Sequence, residues 1–423
     1  MDGDHETRSS GGDRGSSILL AKALDLATQE ADVARWNRIT VLAAGMSESE
    51  VDALDIALRG WPDAIRAAPK NWGVPLPPLT ATPFCPPALR IARRLDILHQ
   101  PLSADDIRTL VTCKYVERLA SVNLFDNGLT CEAIEILVCS VNLKNMTELS
   151  IGGGNVSDDG VQILAATRSL RPLSSLALEC NKLSNRSLQY LSASQNLASI
   201  ATLSLPDNQV GDRGLIALAT SRHLGRLTVL NVSYNDIGAD GLAALCDSKP
   251  LGVLRTLNLA LNHCRDEGVW AIAASKHLNG LEELNLSDNK IGPEGVRAIA
   301  TSRSFEHLSS LALAYNDLGV EGARVLASAS PLTGLRSLNM AGTMIGREGA
   351  MALVTSAYMS NLKELNLRDT GIDDEGAQMI AASGLLGRLD TLDLTHNPIT
   401  EDGLDAIRAA TDGHAIRIDV GTV

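Results

Sequence analysis

LEELNLSDNKIGPEGVRAIATSRSFEH, residues Leu281 to His307, is the stretch on which the reading of this chain turns. Leu284 and Leu286 alternate with polar neighbours, so its opening predicts a short strand with one apolar face. Asn289 then turns the chain. From Gly292 onward the apolar residues take helical spacing. Glu294 falls in the first helical turn, where the backbone dipole favours negative charge. Gly295 has no side chain to hold the helix off the strand layer, and Ile299 closes the core from the helix side.

The same pattern runs along most of the 423 residues in one register. Its first apolar position falls at Ala92, Leu119, Met146, Leu173, Ile200, Leu227, Leu254, Leu281, Leu308, Leu335, Leu362 and Leu389, every step 27 residues, giving 12 repeats. The turn position is Asn127, Asn181, Asn208, Asn235, Asn262, Asn289, Asn316 and Asn397, with Gln100, Gly154, Thr343 and Thr370 as exceptions. A buried Asn amide can satisfy the backbone groups that a turning chain leaves unpaired, so these residues predict a stacked ladder. The helix-start column is acidic in ten repeats, with Arg186 and Arg213 breaking it, and the close-approach column is Gly in nine.

No repeat buries its own apolar side, so each needs a neighbour, and stability becomes roughly a nearest-neighbour sum. Strands stack about 4.8 Å apart, whereas helices with side chains are about 10 Å wide. A narrow strand layer joined to a wide helix layer must bend. The expected fold is therefore α/β: a solenoid shaped as a right-handed horseshoe, with parallel strands on the concave face, helices on the convex face and a small helical cap at the N-terminal end.

The pattern LxxLxLxxNxIGxEGxxAL over about residues 89–420 resembles the ribonuclease-inhibitor-like class of leucine-rich repeats. The resemblance implies the horseshoe and a binding role. It also brings in the repeats of NLR-type receptors and of the GTPase-activating protein of Ran. The class commonly has longer or alternating repeats, whereas this period is constant, which suggests a bacterial member.

Composition narrows the function. Aromatic residues make up 3% of the chain, too few for one large globular core but suited to a spine of Leu, Ile and Ala. The formal charge of −13 and the lack of a basic stripe argue against nucleic acid and anionic membrane surfaces as partners. The seven cysteines, Cys85, Cys113, Cys131, Cys139, Cys180, Cys246 and Cys264, include no CxxC pair and read as small buried hydrophobes in a reducing compartment. There is no apolar run long enough to span a bilayer and no signal-like N-terminus, so a cytoplasmic protein is expected. The alternative is a bacterial effector delivered into a host cell without a signal peptide. No metal or cofactor site is expected. GxSxG, P-loop and HExxH motifs are all absent, and the reading is of a protein that is not an enzyme.

In chain order, residues 1–16 are polar and Gly/Ser-rich and read as a disordered tail. Residues 17–74 read as a helical cap domain: an apolar-faced helix from Ser17 to about Ala44, a second opened by the capping box Ser47–Glu50, and a third from Pro62 through Ala68. Trp36, Trp61 and Trp72 lie in this segment and are expected to pack it over the open end of the first repeat. Residues 75–88 are a proline-rich linker. The repeats occupy 89–415, and 416–423 close with an edge strand and tail.

Two strand columns face the concave side. The middle one is small and polar, as in Asn231, Asn258 and Asn285. The one just before the turn varies widely: His99, Asp126, Gly153, Cys180, Asp207, Tyr234, Leu261, Asp288, Tyr315, Gly342, Asp369, His396. Variable positions on a regular scaffold are where specificity can be written. Tyr234, Leu261 and Tyr315, with Asp288 between them and Asp207 beside them, read as the centre of a partner-binding surface. Phe125 at one end and Arg368 with Asp369 towards the other complete the candidate set. Over the concave positions and the one just after the first leucine, acids outnumber bases about two to one, favouring a basic protein or peptide. Trp270 with Ile216 and Ala243 marks a second candidate patch on the helix side. The expected function is a monomeric, non-catalytic binding scaffold or sensor. The alternatives are a GTPase-activator-like regulator and a secreted effector that recruits host proteins.

Overall fold

The computed structural model describes residues 12–29, 31, 33–43, 46–59, 61, 91–411 and 417–419. The chain divides into two units, Met1–Asn181 and Lys182–Val423. The third cap helix expected over 62–68, the proline-rich linker and Trp72 lie outside the described residues.

In the first unit, three helices precede the repeats: α1 (Gly12–Ala27), α2 (Val33–Ala43) and α3 (Glu48–Ala57). Two expectations need correction. Helix α1 starts at Gly12, inside the segment read as a disordered tail, and the single helical pattern from Ser17 to Ala44 is split between α1 and α2. Ala23, Leu26 and Ala27 are buried and anchor α1. Once anchored, a helix extends at little cost per residue, even through poor formers. The Ser47 backbone N–H donates to Glu50 Oε2 at 2.9 Å, so α3 opens on its capping box. The Trp61 indole N–H donates to the Ala27 carbonyl at 3.1 Å. Arg93, at the start of the first repeat, reaches Asp55 of α3 at 3.3 Å, and Arg118 pairs with Asp52.

The repeats of this unit contribute the parallel strands β1 (Arg94–Asp96), β2 (Ser121–Asn123), β3 (Glu148–Ser150) and β4 (Ser175–Ala177). The second unit continues the same architecture with β5 (Thr202–Ser204), β6 (Val229–Asn231), β7 (Thr256–Asn258), β8 (Glu283–Asn285), β9 (Ser310–Ala312), β10 (Ser337–Asn339), β11 (Glu364–Asn366), β12 (Thr391–Asp393) and β13 (Arg417–Asp419). Within each unit the strands pair in parallel without a register slip, as in Leu257↔Leu284 and Leu284↔Leu311. Residues 417–419 form the last strand of this sheet, against β12. Each strand of a repeat is followed by a turn and a helix of 8 to 11 residues. The result is an α/β leucine-rich-repeat solenoid.

The core is the stacked spine the period requires. The strand leucines from Leu95 to Leu392 and the helix aliphatics from Leu110 to Ile407 are buried in every repeat. The asparagine ladder spans neighbouring repeats. Asn289 Nδ2 donates to the Leu259 carbonyl of the preceding repeat at 2.8 Å, and its Oδ1 accepts from the Cys264 N–H at 3.1 Å. Asn262 and Asn316 repeat both bonds. Thr343 and Thr370 instead donate to carbonyls of their own strands, Met340 and Leu367. A second ladder runs behind the helices, unforeseen in the sequence reading. Ser221, Ser248 and Ser275 donate to Ser192, Ala219 and Cys246 at 2.6–2.7 Å, satisfying carbonyls at the C-terminal end of the preceding helix.

At three positions of the glycine column, Gly241, Gly295 and Gly403, the glycine also makes room for a carboxylate of the preceding repeat. A Cβ on Gly295 would lie 2.5 Å from Asp266 Oδ1 and 2.7 Å from Ile291 Cγ2. What the glycine admits is therefore the preceding repeat's aspartate. That carboxylate accepts from the N–H groups of Gly292 and Gly295 at 2.8 and 3.0 Å and caps the next helix from outside it. Asp212 and Asp374 make the same bridge to Gly238 and Thr400. The cysteine reading also needs one correction. Cys131, Cys139, Cys180, Cys246 and Cys264 are free, but Cys113 is disulfide-bonded.

Candidate functional site

The variable column before the turn shares one backbone conformation. All twelve residues, from His99 to His396, have positive φ, between 52° at Tyr234 and 67° at Gly153 and Gly342. The geometry follows from what each side of the position must do. Its own N–H still pairs with the next repeat, as Tyr234 N–H does with the Ala260 carbonyl at 2.7 Å. The following residue must then turn the Asn amide into the core. A left-handed residue makes that reversal in a single step.

Left-handed backbone costs an L-residue about 1–2 kcal/mol, and less for Gly, Asn or Asp. Gly153, Gly342, Asp126, Asp207, Asp288 and Asp369 suit the position. Tyr234, Leu261 and Tyr315 do not, and they are 55%, 46% and 56% exposed. Strand pairing places Tyr234, Leu261, Asp288 and Tyr315 on consecutive strand ends. The two tyrosines are thus about 14 Å apart by strand spacing.

The other predicted residues fall differently. Asp207 opens this row in the second unit and Asp369 lies two repeats beyond Tyr315, both left-handed and exposed. Arg368 is exposed but one position further back along the strand, its N–H bonded to Asn366 Oδ1 at 2.9 Å. Phe125 belongs to the first unit and is half-buried. Its ring folds over Gly152, where a Cβ would lie 2.6 Å from Cδ2, and meets the His99 ring edge-on at 5.9 Å. It shares Gly152 with Glu179, whose Oε2 is the one buried side-chain oxygen among the described residues without a hydrogen-bond partner. His99 Nδ1 lies 2.8 Å from Asp126 Oδ2.

The polar middle column is more than a smooth floor. In Asn231, Asn258, Asn285, Asn339 and Asn366 the side-chain oxygen accepts the N–H two residues on, at 2.9–3.1 Å. Each amide is thereby held with its NH2 edge towards the strand face. Ala312 interrupts the series beside Tyr315. At the far end a shallow groove of about 340 Å³ crosses β10 to β13, lined by Glu364, Asp393, Arg417 and Asp419 among others.

On the helix side, Trp270 and Ile216 are 48% and 39% exposed. Trp270 occupies the slot where Arg297 and Arg324 pair with Glu321 and Glu348 of the next repeat. Its indole N–H points at the Glu294 carbonyl in the same way, at 3.5 Å.

Burial pushes the thiols of Cys246 and Cys264 up to about 12, which leaves them protonated and inert as nucleophiles. Among the described residues no group of three or more His, Cys, Asp or Glu side chains is placed to hold a metal ion. No described helix is long and apolar enough to cross a membrane.

Seven segments match the family model described as Leucine Rich repeat: residues 197–219, 227–246, 277–300, 306–327, 333–354, 358–381 and 389–407. No curated protein matches the sequence. Among solved structures, a chain of the Rad7 and Elc1 complex in yeast aligns over 97% of this chain and 98% of its own, at 16% identity and a TM-score of 0.55. An internalin (inlF) from Listeria monocytogenes aligns over 79% and 88%, at 20% identity and a TM-score of 0.48. The former shares the fold. By segment match and by architecture, this chain is built of leucine-rich repeats.

Proposed function

We propose that the protein is a non-catalytic scaffold that holds a protein partner on the strand face of its repeats, centred on Tyr234, Leu261, Asp288 and Tyr315. One observation supports this above the others. Three bulky side chains are kept half-exposed on backbone that disfavours them, where glycine or aspartate fills the same position in six of the nine other repeats. Strain of this kind persists where the side chain serves something other than the fold. The tyrosines and leucine supply anchors, and Asp207, Asp288 and Asp369 select a basic partner over nucleic acid. Phe125 and Arg368 are peripheral contacts. The protein acts as a monomer and belongs with the ribonuclease-inhibitor-like repeats.

The test uses the full chain with Tyr234→Asn, Leu261→Asn and Tyr315→Asn combined, because Asn tolerates left-handed backbone. The partner captured by the wild type and identified by mass spectrometry should bind the variant at least about 100-fold more weakly. The circular dichroism spectrum should not change. Undiminished binding by a folded variant would remove this face as the site.

A further inference from the structure

One ring of the row has a defined seat. A Cβ on Gly342 would lie 2.7 Å from Cε1 and 3.3 Å from Cγ of Tyr315, so the ring lies over the backbone of the next repeat. Asn or Asp could have supplied the left-handed turn at 342; only glycine also leaves room for the ring. With one side resting on Gly342 and the residue 56% exposed, Tyr315 offers an aromatic surface to solvent.

The surroundings are specific. Asp288 precedes Tyr315 in the row by about one strand spacing, and Asp369 follows Gly342 by about one, two from Tyr315 itself. Both are exposed, and among the described residues neither carboxylate has a hydrogen-bond or ion-pair partner. The strand positions here are Ala312, where most other repeats place an asparagine, with Ala314 and Ala341 buried at the adjoining positions, a small apolar floor. The turns of these repeats also carry the exposed bases Lys290 and Arg368; with Asp317 present as well, the balance stays acidic.

The geometry points to a cation seat at Tyr315 that takes an arginine side chain of the partner. The guanidinium stacks on the ring, its aliphatic stem lies on the alanine floor, and its N–H groups reach Asp288 or Asp369. Arginine fits better than lysine because its planar, weakly hydrated head stacks and donates to a carboxylate at once. This assignment rests on the strand face being the binding face.

The test is fluorescence anisotropy of the full chain with labelled octa-arginine, octa-lysine and octa-glutamate at about 0.1 M salt, where diffuse attraction is screened beyond about 10 Å. Octa-arginine should bind at least about fivefold more tightly than octa-lysine, and octa-glutamate should not bind. Tyr315→Asn should erase the preference, and so should Gly342→Asn, which keeps the tyrosine but lifts its ring. Asp240→Asn, on the helix side, should leave it intact. Equal binding of the two cationic peptides, or a Tyr315→Asn loss no larger than that of Asp240→Asn, would overturn the seat. If the preference is absent while the triple Asn variant still loses the natural partner, the seat fails and the binding face stands. If the preference follows Tyr315 while capture is unaffected, the seat stands without that function.

Discussion

The left-handed row can be tested on stability alone, by comparing Tyr234→Gly with Tyr234→Ala. Both variants remove the ring and both keep the N–H bond to the Ala260 carbonyl at 2.7 Å. Their difference therefore isolates the backbone at φ 52°. Relief of left-handed strain favours Gly by about 1–2 kcal/mol. Its greater freedom in the unfolded chain costs about 0.4–1 kcal/mol. Tyr234→Gly should thus be more stable than Tyr234→Ala by roughly 0.5–1 kcal/mol. The internal control is Ala243→Gly, in the helix Ala239–Cys246, which should lose about 1 kcal/mol. Urea denaturation followed by circular dichroism reads both, with a shared slope so that midpoints compare directly. An alanine variant at least as stable as the glycine one would refute the strain argument and weaken the functional reading built on it.

Two further outcomes follow from the inter-repeat bonds. Asn289→Ala strands the buried Cys264 N–H, while the Leu259 carbonyl keeps its bond from Asn262 Nδ2, and should cost about 1–3 kcal/mol in the same assay. Asn289→Thr should do little better, since Thr343 and Thr370 bond their own strands; a loss below about 0.5 kcal/mol would contradict the ladder. The Asp374 carboxyl is held below its ordinary value, first by the Thr400 hydroxyl and then by the Thr400 N–H. A depressed folded value means stability that is present above the unfolded value near 3.9 and lost as pH falls through the folded one. The stability gap between wild type and Asp374→Asn should therefore narrow between pH 5 and about pH 2; a gap independent of pH there would contradict the assignment.

How much of this was legible beforehand varies by element. The strands, turns and helices of the repeats follow from leucine, asparagine and glycine spacing, because a period of 27 leaves a single register in which the recurring aliphatic positions are all covered. The asparagine ladder follows too, since a buried amide must find partners. The serine ladder had a signal, serine every 27 residues from Ser194 to Ser302. That spacing alone does not reveal the bonds, because the carbonyls the serines satisfy belong to another repeat. The capping role of Asp266 was invisible for the same reason: its partners Gly292 and Gly295 are 26 and 29 residues away. The N-terminal boundary was misplaced because composition says little about a helix propagated from a packed end.

The sequence by itself determined that this chain stacks leucine-rich repeats, and which column of residues is free to vary. Only the tertiary structure decided that this column is left-handed in every repeat, that Tyr315 lies over Gly342, and that Phe125 lies half-buried over Gly152. The physical reason is that periodicity specifies which residues are equivalent. What each equivalent residue must do with its backbone, and which neighbour it meets, depends on pairing with a repeat that local sequence does not contain.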